Sequence, residues 1–227
     1  MLTDTQVSLP TSHSLSELLA FRAPYLEERL VREKKVRTAE EVARLLDEVK
    51  KYIVLSRQMR DRSVPMLSRR IDEVWHQFIL FSEEYKQFCH RFFGRFVHHN
   101  PGRATDESGE PRPELTRDEL ERAYVSLFGP MSDLWRDELS VTADTRLTRK
   151  PFYRPVKLRR EGSKVSLVAE HMPEPLVRVD AWAEPALSFL LAHEHFYVRE
   201  LPPPLDDEDK VALCRPLVAH GFFRATF

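Results

Sequence analysis

The chain of 227 residues carries 35 basic and 36 acidic side chains, so its net charge of −1 supplies no global field for nucleic acid or an anionic membrane. Its 42% apolar and 31% charged residues are the proportions of a globular protein long enough for one large or two small domains. Six glycines and no P-loop or dinucleotide fingerprint exclude a glycine-rich phosphate cradle, so no cofactor is expected.

The opening MLTDTQVSLPTSHSLSELLAF has no basic residue before its short apolar run, unlike a signal peptide. No segment approaches the ~18 uninterrupted apolar residues of a transmembrane helix. The two cysteines, Cys89 and Cys214, lie far apart, which argues against a disulfide framework. A cytoplasmic location is the expectation.

From Ser14 onward the pattern is helical. Ser14 or Ser16 can cap a first helix bearing Leu15, Leu18 and Leu19. Thr38-Ala-Glu-Glu41 reads as a capping box, followed by Val42, Leu45, Leu46, Val49 and Ile53 at spacings of three and four. Next comes IDEVWHQFILFSEEYKQFCHRFFGRFVHHNP (71–101), where Ile71, Trp75, Phe78 and Ile79 fall on one helical stripe. Tyr85, Phe88, Cys89 and Phe92 fall on another, with Ser82 able to cap that helix and Gly94 able to end it. Such stripes are the core faces of two short helices.

The same stretch also holds potential metal ligands. Asp72 and His76 lie four apart on one helix face, and Cys89, His90, His98 and His99 could add donors. Against a metal reading, no C-x-x-C, H-E-x-x-H or paired H-x3-H is present, and the adjacent His98 and His99 rarely face one centre. Asp72–His76 is equally what an ordinary helix-surface pair looks like.

PGRATDESGEPRP (101–113) reads as an exposed loop, and Thr116-Arg-Asp-Glu119 as a second capping box before Leu120, Ala123, Tyr124 and Leu127. Gly129-Pro130 closes that helix. After Ser140 the period changes to two. Val156 and Leu158 alternate with basic residues, Glu161-Gly162 makes a turn, and Val165, Leu167 and Ala169 alternate again. A connection over 171–175 leads to a third strand, LVRVD (176–180), completing an antiparallel meander. Helical signal returns in EPALSFLLAH (184–193) and DDEDKVALCRPLVAHGFF (206–223). Pro216 is expected to bend the second of these. The expected fold class is α+β: an all-helical domain over 14–140, then a small winged-helix-like β-β-β-α-α domain over 151–227.

Two resemblances follow from these strings. DEVWHQFILFSEEYKQFCHRFFGRFVHH resembles the WH-centred motif of the glycine-rich domain-containing protein-like family, which implies a helical fold and assigns no activity. The glycine-rich tail that names that family is missing here. The strand–turn–strand–strand–helix order ending in LVAHGFFR resembles a winged helix of the PqqD type, the recognition element for leaders of ribosomally made, modified peptides.

In such elements a leader peptide adds a strand beside the third strand and packs on the last helix. Carried onto this chain, the edge is Leu176, Val177, Arg178, Val179 and Asp180, and the facing helix is Lys210–His220. Arg178 and Arg215 could hold an acidic leader side chain, although either is also an ordinary solvated arginine. A DNA reader would need a basic recognition helix, whereas this one opens with four acidic residues, so neither nucleic acid nor membrane is an expected partner.

A helical domain joined to a PqqD-like domain resembles partner proteins of multinuclear iron enzymes. That resemblance implies a non-catalytic adaptor, paired with a modifying enzyme as a heterodimer, that presents the precursor peptide. The rival expectation is a metal-binding protein or metal-dependent enzyme using Asp72, His76, Cys89, His90 and His98.

Overall fold

A computed structural model describes residues 11–33, 35–59, 61–99, 109–150, 155–170 and 172–226. Residues 101–108 of the expected loop and His171 of the expected connection lie outside the described residues. The protein is a mixture of helix and antiparallel sheet, in two compact units that divide between Trp135 and Arg136. No helix among the described residues is long and apolar enough to cross a membrane.

The first unit is helical: α1 (Leu15–Ala20), α2 (Pro24–Arg32), α3 (Ala39–Gln58), α4 (Arg69–Leu80), α5 (Ser82–Phe93) and α6 (Arg117–Phe128). Ser14 caps α1 and forms a full capping box with Glu17. Thr38 caps α3 through the Glu41 amide, but the Glu41 carboxylate reaches past it to the Arg37 amide and pairs with Arg70. A tertiary ion pair to α4 has drawn the glutamate out of the expected box.

Val42, Leu45, Leu46, Val49 and Ile53 are all buried, as the α3 stripe requires. Ser68 caps α4 from a fully buried position, a cap the sequence pattern did not announce. Ser82 does not act as a cap: α5 starts at Ser82 behind Phe81, with no side-chain cap bond. Gly94 ends α5 at φ 70, in the left-handed region where a side chain is disfavoured.

The second unit contains two three-stranded sheets. β2 (Val156–Glu161), β3 (Lys164–Ala169) and β4 (Val177–Asp180) form the expected meander in the order β2-β3-β4, with Gly162 at φ 59 in the tight turn between the first two. Val165, Leu167 and Ala169 point into the core, and Leu158 opposes Leu167 across the ladder. The other sheet has the order β5-β1-β6 and is built from β1 (Arg146–Arg149), β5 (His195–Tyr197) and β6 (Phe223–Thr226).

This second sheet corrects the expected β-β-β-α-α order. Its strands are three or four residues long, too short to show a period, and each pairs with chain distant in sequence. The two helices stand where expected, as α7 (Glu184–Ala192) and α8 (Asp207–Ala219). However, α8 stops before Gly221, and Phe223 belongs to β6. Asp206 caps α8 through the Asp209 amide, and its acidic first turn suits the positive end of the helix dipole.

Candidate functional site

The aromatic stretch proves to be core and scaffold at once. Trp75, 5% exposed, donates its indole N–H to the Tyr85 hydroxyl at 3.0 Å. That hydroxyl in turn donates to the Val97 carbonyl at 2.7 Å. The relay runs from α4 through α5 to the segment after Gly94, and it holds that segment against α4. Burial of its ring pushes the Tyr85 hydroxyl far above the ordinary tyrosine range, so it stays a donor.

Held this way, His99 packs edge-on to Trp75, ring centres 4.4 Å apart, and its Nε2 donates to Asp72 Oδ1 at 2.9 Å. His76, one turn along α4, places Nδ1 at 2.8 Å from the Asp72 backbone carbonyl and 3.5 Å from Asp72 Oδ2. The two imidazoles lie 4.2 Å apart. Asp72, His76 and His99 thus offer three donor atoms within 4.8 Å of one another. The cluster opens outward, with side-chain exposure of 13% at His99, 32% at Asp72 and 47% at His76.

Of the five ligands expected from the sequence, only Asp72 and His76 converge. Cys89 is buried in the core, where desolvation pushes its thiol up despite help from the Val97 backbone, so it is no ready ligand. His90 is exposed on α5. His98 turns the other way from His99, packs edge-on to Phe96 with ring centres 4.9 Å apart and opens into a hollow shared with Arg57, Arg95 and Val97. The third converging residue is His99, a possible donor that the final set of five passed over in favour of its neighbour His98. Adjacent residues of an extended segment point to opposite sides, so only one of the pair could join Asp72.

The edge of the meander gives the second candidate surface. Among the described residues β4 pairs with β3 alone, in the register Lys164↔Asp180, Val165↔Val179, Ser166↔Arg178 and Leu167↔Val177. The Ala181 amide donates to the Ser163 carbonyl at 2.8 Å, which sets the hydrogen-bonded parity of the ladder. By that alternation Val177 and Val179 bond to β3, while the amides of Arg178 and Asp180 face the open side. Helix α8 packs beside β4.

The side chains of this edge differ in availability. Leu176 is buried, at a bend whose amide donates to Leu167, so it supports the strand from below. Arg178 is half exposed, with loose contacts to Ser166 at 3.3 Å and Glu161 at 3.5 Å. Asp180 pairs with Lys164 at 2.8 Å. Lys210 is committed to the Arg199 carbonyl at 2.9 Å and to Asp207, and only 14% of its side chain is exposed. Arg215 is exposed and makes no ion pair among the described residues. Trp182, just past β4, is 54% exposed, an apolar surface that sequence reasoning passed over.

No curated protein and no solved structure matches the chain. Over residues 17–123 the chain is similar to the family described as UCP032817-like, a match that includes Asp72, His76 and His99 and stops before the β4 edge.

Proposed function

We propose that this chain is a non-catalytic adaptor that captures an extended leader segment of a ribosomally made precursor peptide and presents it to a modifying enzyme. The observation that carries the reading is the open side of β4, a strand that also packs against α8. An extended peptide joining that edge gains backbone hydrogen bonds, and pockets between strand and helix select its side chains. Arg178 and Arg215 favour an acidic residue in the leader, and Trp182 offers an apolar contact at the strand's end. Lys210, expected among the contacts, is tied down on α8 by the Arg199 carbonyl and Asp207 and falls to a supporting role. The modifying enzyme, metal-dependent and oxidative on the resemblance above, would be the second subunit of a heterodimer. The winged-helix comparison rests on the meander and the two following helices; the additional sheet β5-β1-β6 belongs to this chain's own unit.

The test sets backbone against side chain. Arg178→Pro removes an edge amide, whereas Arg178→Ala keeps it and removes only the guanidinium. In calorimetry with the precursor peptide encoded beside this chain, Arg178→Ala is expected to cost about 1–3 kcal/mol if it pairs with an acid. Arg178→Pro is expected to cost far more while circular dichroism stays native. Equal affinities for the wild type and a folded Arg178→Pro variant would remove β4 as the docking edge.

A further inference from the structure

We propose that Asp72, His76 and His99 bind one divalent transition-metal ion, at a site in the helical unit independent of the peptide edge. Two imidazoles and one carboxylate are the donor set of zinc and non-haem iron(II) sites with open positions, whereas calcium and magnesium take oxygen ligands alone. The three donors already lie within 4.8 Å of one another. A tetrahedral zinc site with bonds of ~2.0–2.1 Å brings donors to about 3.3 Å apart, so the donor atoms close by up to about 1.5 Å on binding. The residue best able to move is His76, 47% exposed on the helix surface.

The other ligands are held. His99 is gripped by the face of Trp75 and by the Trp75–Tyr85–Val97 relay, which puts a packed core behind the site as supporting shell. In the structure Nε2 of His99 and Nδ1 of His76 spend their protons on Asp72 oxygens. Metal takes the place of those protons, and each imidazole carries its proton on the other ring nitrogen instead. The single negative charge of Asp72 between two neutral rings suits a divalent cation, and exposure on the His76 side leaves coordination positions to water or a further ligand.

The bland alternative is a hydrogen-bonded strut in which Asp72 merely anchors the 95–99 segment to α4. Zinc titration of the full chain, purified without an affinity tag and stripped with chelator, separates the two. The expected result is one equivalent of zinc bound, and a visible cobalt(II) spectrum that zinc abolishes. His76→Ala and His99→Ala should each weaken zinc by more than about 10–100-fold, the loss that follows removal of even a supporting group. His90→Ala and His98→Ala should leave it unchanged. His76→Ala keeps the test clean, because so exposed a side chain leaves the fold standing when removed. No stoichiometric zinc, zinc unaffected by His76→Ala, or zinc lost in His98→Ala would each overturn the proposal. Failure here leaves the β4 reading intact, and failure of peptide binding leaves this site intact.

Discussion

Trp75 fills the space between α4 and the α3 aromatic Tyr52, and its N–H begins the relay that places His99. Trp75→Ala is therefore expected to destabilise the helical unit by ~3–5 kcal/mol, the usual loss for a buried aromatic. It should also weaken zinc, because His99 loses the ring it packs on. An unchanged melting temperature would contradict the burial. Glu48 is the other residue on which much depends. Its carboxylate, 5% exposed, accepts from the Tyr124 hydroxyl at 2.6 Å, the Trp135 indole at 2.8 Å and Lys51 at 2.9 Å. Glu48→Leu keeps the bulk but removes the acceptor of Tyr124, Trp135 and Lys51, of which only Lys51 keeps another partner, the Tyr124 hydroxyl at 3.1 Å, with an expected cost of about 3–5 kcal/mol, as for a broken buried pair. Glu48→Gln retains an acceptor and should cost less. A smaller loss for Glu48→Leu than for Glu48→Gln in denaturant titration would show that packing outweighs the network. Apart from Lys51, one turn along the same helix, neither residue's partners could be inferred from spacing. Glu48 sits one position before the apolar Val49 in a helix of many charges, and Tyr124 and Trp135 lie far along the chain.

Among the elements, legibility followed length and locality. The α3 stripe spans several turns, so its period is unmistakable, and each of its five expected core positions is buried. Thr116–Glu119 makes the full capping box, with both reciprocal bonds present, even though the same Glu119 oxygen also pairs with Arg62 at 3.0 Å. Its hydrogen bonds to Thr116 hold that carboxyl below the usual range. The cap's contribution is thus complete above the unfolded value and is lost as the pH falls through the folded one. The β2-β3-β4 meander was readable because a tight turn and a clean alternation are local features. By contrast, β1, β5 and β6 are brief segments whose pairing is decided by closure of the whole unit, with Arg146 opposite both Tyr197 and Thr226. The site divides in the same way. Asp72 and His76 share a helix face, which spacing reveals, whereas the direction of His99 is set by a three-residue relay that no local pattern contains.

At the scale of the molecule, each unit carries its own core. One core gathers Leu18, Leu30, Val49, Phe78, Tyr85, Phe92 and Tyr124; the other gathers Leu147, Leu167, Leu187, Leu190, Cys214 and Phe223. The division after Trp135 also leaves the Glu48 network whole, since Trp135 is its last member. Units with separate cores should fold separately. Residues 1–135 and 136–227, expressed apart, are each expected to melt cooperatively, and their circular dichroism spectra should sum to that of the full chain. Trp75→Ala should then lower the melting temperature of the first piece, in isolation and within the full chain, and leave the second transition where it was. Zinc should stabilise the first piece alone, by mass action on its folded form, and the precursor peptide should stabilise the second alone. A non-cooperative melt of either piece would show that its core is incomplete without the other. Stabilisation of the second piece by zinc would place the metal outside the Asp72–His76–His99 cluster.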